Sequence, residues 1–89
     1  MIEISYSSSF NKAYKKLLKF RPELEDKFWV KVDLFFQNPF DSQLKTHKLS
    51  GKWKELWSFS IDFSTRVIFI FEGNQKVTFI DIGSHEEVY

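Results

Sequence analysis

The hydrophobic period of this chain changes once, and that change limits the folds it can adopt. Between residues 10 and 36 the apolar side chains recur every three or four positions, as on one face of an α-helix. From residue 53 to residue 82 they alternate with polar side chains, which is the period of a half-buried β-strand. The sequence therefore predicts helices in its first half and strands in its second half.

Two helices are predicted, and a proline separates them. The first follows a serine run, SSS, whose hydroxyls can accept a hydrogen bond from a free backbone N–H at a helix start. Pro22 ends this helix and suits the first turn of the second one, which ends at the segment NPF. The buried stripes are expected to hold Phe10, Tyr14, Leu17 and Leu18 in the first helix and Leu24, Phe28, Val32, Phe35 and Phe36 in the second.

The remaining segments read as strands. The opening MIEISY alternates apolar and polar residues, a short strand is expected at 46–49, and residues 53–63, 65–71 and 76–82 form a meander. On the first strand of the meander, one face is expected to carry Trp53, Trp57, Phe59, Ile61 and Phe63. The prediction is an α+β domain, ordered β-α-α-β-β-β, with a two-helix hairpin packed on one face of a twisted antiparallel sheet. The other face of the sheet would then be available to hold a ligand.

Length and composition exclude several classes of protein. The 89 residues predict one domain, 1–89, and an aromatic content of 19% excludes a disordered chain. With no cysteine, neither a disulfide framework nor a thiolate zinc site can form. No run approaches the ~20 apolar residues of a membrane span, and no signal peptide opens the chain. We therefore expect a cytoplasmic protein with no membrane partner.

Positive charge is concentrated in two places, although the net charge is only +1. One cluster consists of Lys12, Lys15, Lys16 and Lys19, and the other of Lys45, Lys48, Lys52 and Lys54 together with His47. Local basic patches can bind phosphate even when the whole chain is near neutral. The second cluster is therefore a candidate surface for a nucleic acid, whereas the first is more simply explained as a solvated helix face.

Four segments follow one another along the chain and together form a recognisable pattern: SFNKAYKKLLKFRPEL, HKLSGKWKELWSFSID, TRVIFIF and IDIGSHEEVY. Together they resemble the RelE/ParE superfamily of toxins from bacterial and archaeal toxin–antitoxin modules, and the pattern is most like the RelE and YafQ kind of mRNA interferase. The resemblance implies an endoribonuclease that enters the ribosomal A site and cuts messenger RNA there. It also implies a small cognate antitoxin as partner, with which the toxin forms a hetero-oligomer.

Cleavage of RNA without a metal requires a base for the 2′-hydroxyl, a cation for the transition state and an acid for the leaving oxygen. No dense set of metal ligands is present, so neither a metal nor another cofactor is expected. Arg66 is the candidate cation, because its planar fork suits a phosphate. The candidate acid–base pair is His85 and His47, and Tyr89 would bind the phosphate or stack on a base. The expected contacts to the RNA backbone are Lys45, Lys48, Lys52 and Lys54.

Two positions depart from the YafQ-like pattern and leave other functions open. Ser60 stands where that pattern has a histidine, and Asp81 stands where it has a basic residue, although Asp81 could instead orient Arg66 or His85. One alternative is a toxin of the ParE type, which poisons DNA gyrase by protein contact. Another is a degenerate homologue that only binds an antitoxin. The histidine near the end of the chain favours the nuclease, because ParE-like chains lack it.

Overall fold

The structure has its two helices where the hydrophobic period is helical and its main strands where the side chains alternate. The computed structural model describes residues 1–51 and 55–84. The elements are β1 (Glu3–Tyr6), α1 (Ser8–Phe20), α2 (Leu24–Gln37), β2 (His47–Lys48), β3 (Trp57–Ser60), β4 (Thr65–Phe71) and β5 (Lys76–Ser84). A 3-10 turn at Ser42–Leu44 follows the second helix. Among the described residues, no helix combines the length and the apolar character that a membrane span requires.

The sheet has five strands in the order β1-β5-β4-β3-β2. The α+β class is confirmed, but the sheet is mixed and not antiparallel throughout, because β1 pairs in parallel with β5 from Glu3↔Lys76 to Tyr6↔Phe79. Strands β2 to β5 pair antiparallel with their neighbours, as the meander predicted. Alternation of side chains is the same in both kinds of pairing, so the sequence pattern could not reveal the direction of β1.

An aromatic cluster joins the second helix to the sheet. Phe35 is 0% exposed and stacks on Phe59 of β3, with ring centroids 4.7 Å apart. The same ring meets Phe69 of β4 at 4.9 Å and Phe79 of β5 at 5.4 Å, both edge to face. One helix residue therefore contacts three adjacent strands. Phe36, predicted in the same stripe, is instead 39% exposed, because it lies at the margin of the buried stripe and not at its centre.

The serine run binds the helix to the sheet as well as capping it. The Ser7 hydroxyl accepts from the Phe10 N–H at 3.0 Å and donates to the Ile80 carbonyl at 3.3 Å, and the Ser9 hydroxyl donates to the same carbonyl at 2.8 Å. Ile80 is the extra residue of a bulge in β5, where the register with β4 shifts. Beyond the bulge the alternation is reversed, so Ile82 lies in the core and Gly83 pairs with Arg66 on the opposite face.

The β3–β4 connection is organised by one carboxylate. Asp62 accepts hydrogen bonds from the backbone N–H groups of Thr65 at 2.8 Å and Ser64 at 3.1 Å. Its other oxygen pairs with Arg21 Nη2 at 3.1 Å. Arg21 is the C-cap residue of α1, and its own N–H donates to the Leu17 carbonyl. Strand β3 therefore ends at Ser60, and the expected continuation to residue 63 is wrong because these local hydrogen bonds favour a turn.

The environment of Asp62 lowers the pKa of its carboxyl. Burial acts in the opposite direction and is the largest single influence, but it is outweighed by hydrogen bonds from Thr65, Ser64 and Arg21 that favour the charged form. Because the pKa is lower in the folded chain than in the unfolded one, the unfolded state takes up the proton first as the pH falls. The stabilisation by Asp62 is therefore complete above about pH 4 and is lost as the pH falls through the folded pKa.

Truncation of the central ring tests the packing of the core. Phe35→Ala is expected to reduce the free energy of unfolding by about 3–5 kcal/mol, since it leaves a cavity among three strands. Phe36→Ala, one position away and partly exposed, is the matched control and should cost less than half as much. Denaturant unfolding measures both variants, and similar losses for the two would contradict the assigned core.

The Asp62 carboxylate is tested by its pH dependence. Asp62→Asn keeps a side-chain oxygen for the turn but removes the charge that Arg21 faces, so we expect a loss of about 1–2 kcal/mol in unfolding free energy at pH 7. The difference from wild type should shrink steadily as the pH falls below about 4, because the unfolded state takes up a proton there before the native carboxylate does. A difference that stays constant between pH 7 and pH 3 would show that the charge does not hold the turn.

Candidate functional site

An open groove of roughly 800 Å³ crosses the edge of the sheet at β3. It forms there because β2 pairs only with Trp57 and Ser58, and within the described residues no strand covers that edge beyond Ser58. Its walls come from α2, the 3-10 turn, the β3–β4 connection and the facing ends of β4 and β5. The lining residues are Lys31, Gln43, Lys45, Ser60, Asp62, Phe63, Ser64, Arg66 and Ser84.

Arg66 is fixed in this groove by backbone oxygens. Its Nη1 donates to the carbonyls of Asp62 at 3.1 Å, Phe63 at 3.2 Å and Thr65 at 3.4 Å. Within the described part of the chain, no carboxylate forms an ion pair with this guanidinium. Partial charges of carbonyl groups orient the side chain but leave its positive charge uncompensated. A fixed, uncompensated guanidinium can bind an anion with little loss of side-chain entropy.

Two lysines add positive charge to the groove. Lys31 of α2 donates from Nζ to the Gln43 carbonyl at 3.3 Å, which connects the helix to the 3-10 turn. Lys45 follows that turn in the left-handed conformation, with φ 52° and ψ 40°. This conformation is rare for a lysine and is found more often at functional sites. Among the described residues that line the groove, Asp62 alone is acidic and it is paired with Arg21, so these residues together carry a net positive charge.

His47 lies on the same face of the sheet as Arg66. It pairs with Ser58, two residues before Ser60, which pairs with Arg66. Ordinary strand spacing puts the Cα atoms of the two residues about 12 Å apart. Because the Lys45 carbonyl can only accept, His47 Nδ1 donates to it at 3.1 Å, and the neutral ring then carries its lone pair on Nε2. This tautomer suits a general base whose reacting atom is Nε2.

The other predicted site residues lie either away from the groove or outside the described part of the chain. Lys48 pairs with Trp57, so it lies on the face opposite to Arg66 and does not line the groove. The α1 lysines, which were not predicted as site residues, are all exposed, which agrees with a solvated face. The predicted residues that lie outside the described part of the chain are Lys52, Lys54, His85 and Tyr89.

The sheet face that carries Arg66 is not fully open, contrary to the expectation of an unoccupied face. Ser58 and Ile68 are buried on it, and Ser60 is only 6% exposed beside Arg66. Asp81 lines a different groove, next to Lys16 and Arg21, and is not paired with Arg66. The suggestion that Asp81 orients Arg66 is therefore wrong for the described structure.

Phe63 was missed by the sequence pattern. Strict alternation put it on the buried face with Phe59 and Ile61, but it lies in the turn after β3 and is 96% exposed. The signal was available in the segment DFST, because an aspartate followed by a serine and a threonine favours a local turn.

Within residues 1–51 and 55–84, no group of three or more His, Asp or Glu side chains could hold a metal ion.

Comparisons with known proteins agree with this architecture. Residues 2–89 match the family described as bacterial toxin of type II toxin-antitoxin system, YafQ. A copper-bound mutant toxin from Helicobacter pylori shares 26% of its sequence with this chain, with full coverage of both chains and a TM-score of 0.78. YafQ from E. coli shares 22%, covering 100% of this chain and 99% of its own, with a TM-score of 0.81.

The same E. coli toxin has also been solved in a DinJ–YafQ complex, with 22% identity, coverage of 100% and 99%, and a TM-score of 0.79. At this level of identity the likeness shows the fold. Comparison with curated protein sequences gives no match. The family match extends over nearly the whole chain, and the predicted α+β fold, with its helix pair on one side of the sheet, is confirmed. The chain belongs to the YafQ family of bacterial type II toxins.

Proposed function

We propose that this toxin is an endoribonuclease that cleaves messenger RNA in the ribosomal A site without a metal ion. The observation that carries the proposal is the guanidinium of Arg66, which three backbone carbonyls fix in a basic groove and which no described carboxylate neutralises. A phosphodiester in that groove would meet a preoriented cation. The match to the YafQ toxin family supports the same proposal, as does the resemblance of the four sequence segments to mRNA interferases.

The reaction would proceed by attack within the RNA. A base takes the proton of a 2′-hydroxyl, its oxygen bonds to the adjacent phosphorus, and the bond from phosphorus to the 5′-oxygen breaks. An acid protonates that leaving oxygen, so the products are a 2′,3′-cyclic phosphate and a 5′-hydroxyl. Arg66 stabilises the extra negative charge that develops on the phosphorane oxygens.

His47 and His85 are assigned to the two proton transfers. His47 is exposed on the Arg66 face, and its Nδ1–H bond to Lys45 puts the basic lone pair of the neutral ring on Nε2. His85 and Tyr89 lie outside the described residues, and their roles as acid–base group and phosphate or base contact follow from the motif IDIGSHEEVY. Lys45 lines the groove and would bind the RNA backbone, together with Lys52 and Lys54.

A cognate antitoxin is the second expected partner. The E. coli relative has been solved in a toxin–antitoxin complex with DinJ. We propose that this chain is likewise restrained by a small antitoxin in a hetero-oligomer, and that it acts in the cytoplasm as a single toxin domain. Release of the antitoxin would then allow the toxin to reach the ribosome and its messenger RNA.

Removal of the guanidinium is the direct test of this function. Arg66→Ala should reduce cleavage of messenger RNA on translating ribosomes by about 10²- to 10³-fold, as expected when one preoriented donor to a transition state is lost. The variant should remain folded at the assay temperature, as circular dichroism can check, although loss of the hydrogen bonds to three backbone carbonyls should lower its unfolding temperature. Lys76→Ala is the matched control, since it removes an exposed cation at the far end of β5.

Induced expression in a bacterial host separates the alternatives. The nuclease predicts rapid loss of intact messenger RNA with wild type and with Lys76→Ala, but not with Arg66→Ala. A DNA damage response with filamentation and intact messenger RNA would instead indicate a gyrase poison. Unimpeded growth with the wild-type toxin would indicate a chain that only binds an antitoxin.

The proton-transfer residues are tested separately. His85→Ala and His47→Ala should each lower the single-turnover cleavage rate by about 10²- to 10⁴-fold, because each removes one general acid–base group. Binding of the toxin to ribosomes, measured by co-sedimentation, should be retained. A cleavage rate equal to wild type in both variants would exclude this assignment of the acid and the base.

A further inference from the structure

A fully exposed phenylalanine stands beside the candidate site. Phe63 is 96% exposed, although it lines the same groove as Arg66 and Lys45. A single exposed apolar side chain is common on protein surfaces, so exposure alone assigns no role to Phe63; what sets this ring apart is its place in a groove beside two cations, where a ligand could reach it. Its neighbours in the turn, Asp62 and Ser64, are polar.

The turn holds this ring in a defined place. Asp62 accepts from the backbone N–H groups of Ser64 and Thr65 and pairs with Arg21 of α1, which fixes the turn from both sides. Arg66 Nη1 then donates to the Phe63 carbonyl at 3.2 Å. The backbone that presents the ring is therefore bound directly to the guanidinium.

A planar ring next to fixed cations matches the chemistry of an unpaired nucleotide. Bases of single-stranded RNA stack on aromatic side chains, while lysine and arginine neutralise the phosphates between them. We propose that Phe63 is a stacking platform for an unpaired RNA base whose neighbouring phosphates lie against Arg66 and Lys45. This inference rests on the proposed function, because it assigns to the same groove a direct contact with the base.

The surroundings of the ring favour RNA over an apolar protein surface. A hydrophobic docking site would require further apolar side chains around Phe63, but the groove is lined mainly by polar and charged residues. The other large exposed hydrophobic side chains of the described residues lie elsewhere, on the helices, on β1 and the residues before it, and in the loop after α2: Met1, Tyr6, Phe20, Trp29, Val30, Phe36 and Phe40.

The test is binding of a short single-stranded RNA that carries a fluorescent label and 2′-O-methyl groups, which prevent cleavage. Phe63→Ala should weaken its affinity about tenfold, the loss expected for one stacked base. Phe63→Trp should retain the affinity, whereas Phe63→Leu, which is apolar but not aromatic, should resemble the alanine variant. Phe20→Ala is the matched control, because it removes an exposed ring from α1 outside this groove.

Salt dependence separates stacking from phosphate contacts. Phe63→Ala should leave the slope of log affinity against log salt unchanged, whereas Lys45→Asn should lower its magnitude by about one. Asparagine tolerates the left-handed conformation of residue 45, so this variant removes charge without disturbing the turn. An RNA with an abasic position at the stacked nucleotide should remove the difference between wild type and Phe63→Ala.

Three results would overturn the inference. They are an unchanged affinity in Phe63→Ala, wild-type affinity in Phe63→Leu, and failure of the wild-type protein to bind the RNA. Loss of antitoxin binding alone in Phe63→Ala would assign the ring to the protein partner instead. The two proposals fail separately. If wild type cleaves messenger RNA on ribosomes and Phe63→Ala leaves RNA affinity unchanged, only the stacking platform is excluded. If Phe63→Ala weakens RNA binding but wild type cleaves no messenger RNA, only the nuclease is excluded.

Discussion

The Asp62 carboxylate connects the parts of the molecule on which its candidate chemistry depends. It closes the β3–β4 turn through two backbone N–H groups and attaches that turn to the end of α1 through Arg21. The carbonyl of the same residue accepts from Arg66. Without the charge on Asp62, the turn would lose its tie to the helix, and the oxygens that orient Arg66 would be less firmly placed. Asp62 therefore connects the end of α1 to the turn that orients Arg66 in the groove.

The two arginines of the chain, Arg21 and Arg66, have different roles because their surroundings differ. Arg21 is neutralised by Glu23 at 3.0 Å and Asp62 at 3.1 Å, and its contribution is structural. Among the described residues, Arg66 donates to backbone oxygens, which fix its direction, and pairs with no carboxylate. The guanidinium of Arg21 stabilises the fold through its ion pairs, whereas the guanidinium of Arg66 keeps a positive charge that can attract an anion. That asymmetry makes Arg66 the centre of the proposed ribonuclease site.

Periodicity predicted the parts of the fold in which one buried face controls the side chains. Phe28, Val32 and Phe35 are buried on α2, and the strand TRVIFIF has the predicted bounds of β4. Periodicity could not show that β1 runs parallel to β5, because both pairings require the same alternation. It also failed where local hydrogen bonds override alternation, at the turn after Ser60 and at the Ile80 bulge.

The site was predictable in type but not in arrangement. A single arginine on a strand could be chosen by its chemistry, and the structure places it in a basic groove with Lys45 and on one sheet face with His47. The separation of Lys48 from that face depends on the register of β2; a short strand was expected at 46–49, but a strand of two residues is too short for its register to be predicted from the sequence. The exposure of Phe63 depends on the Asp62 turn, which strict alternation hides.

The side-chain nitrogens of the two arginines provide the most direct test of the account. In protein labelled with ¹⁵N at arginine, the Nε–H signals of Arg21 and Arg66 can be told apart with the variant Arg66→Lys. Addition of a non-cleavable single-stranded RNA should shift the Arg66 signal to saturation and leave the Arg21 signal in place, because Arg21 is paired with Glu23 and Asp62 whereas no described carboxylate pairs with Arg66. An Arg66 signal that does not move when the RNA is bound would contradict the central claim.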